Sequence, residues 1–347
     1  MFEPQRAFDV TWLFSTKKES AYGTALADAN LSRRVTAARV EVGKQTKLFR
    51  SDLDRAGKGH EFATELEETA RDLRRSSTFD ASSLTLAWVA AFALGKVATS
   101  QPNPGGNPTA YDHLFTFADP AVSKHAPTTT VYEELTADLK RRLVSLACND
   151  FALTGRAREP VELRAAWIGS GATSDGAYAG SLPALTPQSF FLGADADILF
   201  GPQGAPVSIK DRVLDWSVSV TQNLEAELGY YPGSGKFRGR LWYGPRRVSA
   251  ALTLFAKQTD DLLTLFLNDT VRELRVSLAG DLIGPGPEIH RALVVLPAVR
   301  VTALDDAVQG NHVVYRVEIG EAGVLKQTGL EPLQITVTNT ETSFLTA

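Results

Sequence analysis

The amino-acid sequence predicts a mainly β protein, built as two tandem β-sandwich or β-barrel domains that each carry one short flanking α-helix. Three observations lead there. Apolar and polar residues alternate along much of the chain, as in half-buried antiparallel strands. Only two stretches break that period in favour of a helix, and the order of strands and helix occurs twice. With 347 residues the chain is also long enough for two ordinary domains, expected at 1–175 and 176–347.

From the N-terminus, the residues before Asn30 read as an arm, and Gly43 to His60 as a long, basic, turn-rich excursion. From Phe79 to Gly95 an Asp/Ser cluster precedes an Ala/Leu-rich run that stops at a glycine, which signposts both ends of a helix. QPNPGGNP at Gln101–Pro108 is a loop. Strands follow at Val161, Leu163, Ala165, Trp167, and, beyond the aperiodic join Gly169–Pro183, at Leu214, Trp216, Val218, Val220. Asn223 to Arg240 is a second excursion. Val248, Ala250, Leu252, Leu254 form a strand leading to a second helix, where Thr259 can cap and Asp260 and Asp261 favour the first turn. Strands at Val313 to Ile319 and Leu333 to Val337 complete the chain, and both helices are expected to be largely buried.

The two halves echo each other. With a constant offset of 176, Arg71 falls on Arg247, Phe79 on Phe255 and Leu86 on Leu262. Arg142–Leu146 echoes Arg291–Leu296, Trp167-Ile168-Gly169 echoes Glu318-Ile319-Gly320, and the two excursions precede the strand that feeds each helix. A diverged internal duplication explains this order, while two unrelated sandwiches with common β habits are the alternative.

Composition removes several classes. A net charge of -4 gives no global reason to expect a coat for nucleic acid or a membrane surface. One cysteine, Cys148, makes neither an intrachain disulfide nor a thiolate cluster. The N-terminus reads as no signal peptide, and Leu84 to Leu94 falls short of the roughly 20 residues a membrane helix needs.

The search for chemistry is empty. The histidines, His60, His113, His125, His290 and His312, stand at least twelve positions apart and read as solvated. Gly229–Phe237 has P-loop-like glycines, but its spacing is one residue too long and Phe237 replaces the Mg²⁺-binding hydroxyl. Ser170 and Ser234 lack a nucleophile frame, Cys148 reads as a small buried residue after a strand, and Glu133 and Glu134 point to opposite faces of one. No catalytic residue, metal or cofactor is expected, and the protein is read as a non-enzyme.

One segment is compositionally distinct. Gly229 to Arg247 carries Tyr230, Tyr231, Phe237, Trp242 and Tyr243 among Lys236, Arg238, Arg240, Arg246 and Arg247, with no acid. Aromatic rings among cations suit single-stranded nucleic acid. They suit equally a hairpin packed on a neighbouring subunit, since Tyr, Trp and Arg are enriched at interfaces. The interface reading fits the acidic chain better. It makes Tyr230, Tyr231, Lys236, Phe237, Arg238 and Arg240 candidate contacts, joined by Lys47, Phe49, Arg50 and Arg55 of the first excursion.

Lys18–Ala25, His60–Glu65, Ser77–Ala81 and the helix Leu86–Gly95 resemble the major tail tube proteins of long-tailed, non-contractile bacteriophages. So do Thr129–Glu134, Phe151–Gly155 and Trp167–Gly171. The resemblance covers most of the first half and reaches the second mainly through the duplication. It implies a β-sandwich or barrel with a flanking helix, whose inner strands from successive subunits close a ring, and rings that stack into a tube. A duplicated chain resembles the variant in which three subunits, in place of six, complete the ring. The implied partners are further copies of the chain, the tape-measure protein, tail terminator and tail-tip proteins, and double-stranded DNA in transit. The implied location is the virion tail, and the host cytoplasm during assembly.

Overall fold

The computed structural model describes residues 10–36, 39–41, 45–52, 65–135, 140–175, 178–179, 181–257 and 262–346. The first half contributes β1 (Thr11–Phe14), β2 (Arg33–Thr36), β3 (Arg39–Glu41), β4 (Gln45–Asp52), β5 (Glu65–Asp80), α1 (Ser83–Leu94), β6 (Gly95–Ser100), β7 (Tyr111–Phe117), β8 (Thr129–Glu134), β9 (Lys140–Arg156), β10 (Glu162–Gly169) and β11 (Thr173–Asp175). The second contributes β12 (Asp197–Gly201), β13 (Val207–Ser208), β14 (Val213–Thr221), β15 (Arg247–Phe255), α2 (Leu262–Leu267), β16 (Arg272–Leu282), β17 (Ile289–Val299), β18 (Ala303–Gln309), β19 (His312–Ile319) and β20 (Gln334–Asn339).

The fold is mainly β, with two antiparallel sheets. A 13-stranded sheet follows the path β18-β19-β15-β14-β9-β10-β5-β3, with β4 also on β5 and a side branch through β8, β1 and β2. A 7-stranded sheet runs β13-β12-β16-β17-β20-β7-β6. Both cross the expected boundary at residue 175, because β9 pairs with β14 and β7 with β20. Strand β9 serves four ladders. Its first residues pair with β8 and β11, and those from Ala147 onward with β10 and then β14, with a register shift in the β10 ladder between Ala166 and Trp167.

Helix α1 lies at the centre. Ser82 and Thr85 form a reciprocal capping box, and Gly95 ends the helix with φ 82°, a conformation that favours glycine. All twelve residues are buried, so the helix has no polar face and must be enclosed by both sheets. Trp88 stacks on Phe14 (4.1 Å between centroids) and Trp167 (4.7 Å), with Trp12 and Phe92 edge-on. Rings from three elements thereby fix the sheet-to-helix spacing.

Beside them lies a buried ion pair. Arg75 Nη2 is 3.3 Å from Glu133 Oε2, with both side chains at 1% exposure or less, and Trp12 Nε1 donates to Glu133 Oε1 (3.2 Å). Burial raises the Glu133 pKa, which Arg75 partly opposes. Glu19, also buried, accepts from Thr128, Thr130 and both the amide and hydroxyl of Ser145. These four bonds tie the N-terminal arm to β8 and β9.

Several sequence expectations change. Gly43–His60 is not all excursion, since Gln45–Asp52 is a strand paired with β5, where a long partner imposes extension on a turn-rich sequence. Helix α2 buries Leu262 and Leu265 but exposes Leu263 and Leu267, because it lies against one side only; Thr259, Asp260 and Asp261 fall outside the described residues. Cys148 lies within β9, where burial pushes its thiol pKa well up. His113 is not solvated. It is fully buried on β7, its ring nitrogens meeting Thr99 Oγ1 (2.9 Å), Asn339 Oδ1 (3.2 Å) and the Glu341 carbonyl (2.9 Å). His60 falls outside the described residues.

Two outcomes follow. Removing one member of a buried pair strands the other charge, so Glu133→Ala should lose about 3–5 kcal/mol in urea unfolding, and Arg75→Met with Glu133→Leu should recover most of it. Burial lowers the His113 pKa below its ordinary 6.5, so the unfolded chain takes the proton first as pH falls. The contribution of His113 is thus complete above about pH 6.5 and declines below it, and His113→Gln should flatten the pH dependence of the urea midpoint in that range.

Candidate assembly interface

The large sheet has two different faces. One packs on α1 and the small sheet, through residues such as Leu73, Phe79, Leu153, Trp216 and Leu252. The other, partly exposed, is made mostly of small side chains, among them Ser76, Thr78, Ala152, Thr154, Ser217, Ser219, Ser249, Ala251 and Thr253. Ser219 and Ser249 share a hydroxyl hydrogen bond across strands (2.7 Å). Charges of both signs dot this face, including Arg164, Glu162, Asp215, Arg316 and Glu318. The result is a low-relief polar surface without a dominant sign.

The path through this sheet ends in two strands that, among the described residues, pair on one side only. Strand β18 pairs with β19, and its residues Asp305 to Gln309 are exposed, Val308 at 75%. Strands β3 and β4 lie successively along β5. All neighbours on the path are antiparallel, and it holds an even number of positions, so its two ends run in opposite directions. A second copy placed head to tail would therefore meet its neighbour antiparallel.

The path is also a repeat. It divides into β18-β19-β15-β14 and β9-β10-β5 with β3 and β4, each a hairpin, then the strand that feeds a helix, then the strand before it. The two sets join through β14 and β9, from Asp215 opposite Arg156 to Thr221 opposite Asp150. The small sheet does not repeat this way, for hairpins β6–β7 and β16–β17 flank β20 in mirrored order. The sequence offset of 176 does not match the burial of the two strands. It sets inward Leu73, Arg75, Ser77 and Phe79 on Ser249, Ala251, Thr253 and Phe255, which face the other way. An offset of one residue less matches the faces, placing them on Val248, Ala250, Leu252 and Leu254.

The basic, aromatic segment is not a hairpin. After a 3₁₀ turn at Glu227–Gly229 it runs through successive turns across the first half. Tyr230 Oη donates to the Arg71 carbonyl (2.5 Å), the Arg71 amide to the Lys236 carbonyl (2.8 Å), and the Arg238 amide to the Ser170 carbonyl (2.9 Å). Arg238 is 2% exposed, pairs with Asp72, donates to the carbonyls of Ala226 (3.0 Å) and Gly169 (2.8 Å), and lies 4.9 Å from the Tyr230 ring. Arg240 stacks between Tyr231 (4.8 Å) and Trp242 (5.2 Å), and Arg71 covers Phe237 (5.5 Å). Rings and guanidinium groups thus satisfy one another within the chain.

Lys236 and Lys47 converge on Glu68, at 3.7 and 3.9 Å. The Arg71 hydrogen bond, foremost, lowers the Glu68 pKa. So the structure brings one candidate from each excursion to a common carboxylate. Phe49 and Arg50 lie on β4, which places them at the sheet edge, and Arg55 falls outside the described residues. Sequence reading missed Glu68, Arg71 and Asp72 as the partners of these cations. It also missed the exposed strand β18, where adjacent Asp305 and Asp306 interrupt the period-two pattern.

Comparison with models of known protein families, and with curated protein sequences, finds no match. Among the described residues, no group of three or more His, Cys, Asp or Glu side chains could hold a metal, and no helix is long and apolar enough to cross a membrane.

Arg238→Ala should lower stability by about 1–3 kcal/mol in denaturant melts, as it removes a buried guanidinium that bridges Asp72, the Ala226 and Gly169 carbonyls and the Tyr230 ring. Lys236→Ala, removing an exposed cation, should stay within about 0.5 kcal/mol of the parent.

Proposed function

We propose that the protein is a structural virion protein, without catalysis, that self-assembles into stacked rings forming a phage tail tube. The observation that carries this reading is the repeated four-strand order of the large sheet, with its two unpaired, oppositely directed edges. Long exposed edges are a liability in a monomer, and a ring in which each chain pairs with the next removes them. An interface between unlike edges is heterologous, and such interfaces close into rings when their rotation allows.

In this reading the chain is an internal duplication, each half supplying one four-strand unit, and three chains complete a ring of six units. The small-residue face of the large sheet lines the lumen, around the tape-measure protein and later around DNA. A lining of Ser, Thr and Ala with charges of both signs lets a polyanion slide, because no row of cations gathers phosphates. Tail terminator and tail-tip proteins are the partners at the tube ends, and the protein moves from host cytoplasm to virion as it assembles. The alternative, nucleic-acid binding through 229–247, is weakened because Arg238, Arg240 and Arg246 lie on rings of their own segment.

Negative-stain electron microscopy of the purified protein, fresh and after concentration, should reveal rings or tubes with three chains per ring. Monomers at every concentration on a sizing column, and featureless fields, would overturn the proposal.

A further inference from the structure

We infer that the β14·β9 ladder is the chain's internal copy of its seam with the next chain, so that the register of that seam is already written in one molecule. The inference rests on the ring reading above and specifies the contact.

The register follows from the paired strands. The β5·β10 ladder ends at Asp80 opposite Glu162, and the β15·β19 ladder at Phe255 opposite Val314. Setting these ends together is the face-matching offset. On it, Ser217, opposite Ala251, takes the place of Glu41, opposite Ser76. Val220 and Thr221, opposite Val248 and Arg247, take the places of Gln45 and Thr46, opposite Leu73 and Asp72. On the other side, Thr154, Phe151 and Asp150 are carried through β10 and β19 to Ala307, Leu304 and Ala303. The observed pairs Ser217–Thr154, Val220–Phe151 and Thr221–Asp150 thus become Glu41–Ala307, Gln45–Leu304 and Thr46–Ala303 between chains.

Three observations make a second copy of this chain the occupant of each edge. Strand β18 has seven residues, and the internal ladder it would copy has pairs at all of 215–221. The polarity is right for antiparallel addition, which supplies main-chain hydrogen bonds to each unpaired edge. Asp305 and Asp306 of β18 disfavour the competing occupant, a second β18 strand. An isologous dimer would set the four aspartates of two β18 strands together.

Engineered disulfides read the register, because the bond forms only across a narrow range of Cα separations. The single native cysteine is buried and does not interfere. In assembled rings, Glu41→Cys with Ala307→Cys, and separately Thr46→Cys with Ala303→Cys, should oxidise to a covalent ladder ending at the closed ring. Glu41→Cys with Val308→Cys, which presents the second thiol on the other face, should yield about tenfold less.

If rings form and the Val308 pairing links better than the Ala307 pairing, the register is wrong while the ring reading stands. Linking by Ala307→Cys alone means β18 meets β18, which overturns the head-to-tail seam. If no assembly forms, the ring reading falls and the seam with it.

Discussion

The hydrogen-bonded ladder between β9 and β14 makes one sheet out of the two halves, and much of the structure depends on it. Without it the four strands β18, β19, β15 and β14 would separate from the nine of the first half, and further edges would open along β9 and β14. With it, the open edges are moved to the ends of a single long path. The same ladder aligns the apolar faces of both sets over α1 and the small sheet, because a one-residue slip would turn inward residues outward. It also aligns their small polar residues into one continuous opposite face.

Two devices brace the strands beside this ladder. Below the sheet, Trp88 of α1 is wedged between Phe14 and Trp167, a contact that no polar helix could make. Above the end of β5, the segment after β14 folds back over the first half and locks through Arg238, Tyr230 and Lys236. Arg238 is held by the Asp72 charge and by the Ala226 and Gly169 carbonyls, so burying a guanidinium here is consistent with ordinary electrostatics. The first lies within the first half, and the second joins the two halves, as the ladder itself does.

Function, on the proposed reading, comes from what the chain leaves open. Aromatic rings and cations that composition alone offers to a nucleic acid are paired within the chain. Among the described residues, what remains open is the outer side of β18, the outer side of β3 and β4, and the small-residue face of the large sheet. A heterologous edge contact that repeats an internal one needs no separate recognition motif, which accounts for the absence of any sharp signature in the residues.

The sequence by itself determined the β class, the positions of the later strands and the boundaries of α1. Those depend on periodicity within a few residues, on Ser82 and Thr85 as a cap, and on Gly95 in a left-handed turn. It also named Lys47 and Lys236, on the two paired excursions, as candidate contacts. Tertiary structure alone decided that β4 is a strand, that His113 is buried, and that Arg238 belongs to the interior. A strand formed by pairing takes its extension from a partner, and a polar residue is buried only where distant groups satisfy it. The same holds for which residues of the two halves share a face. Identity at single positions can be aligned on either side of a pleat, but only packing against the helix and the second sheet says which side is in.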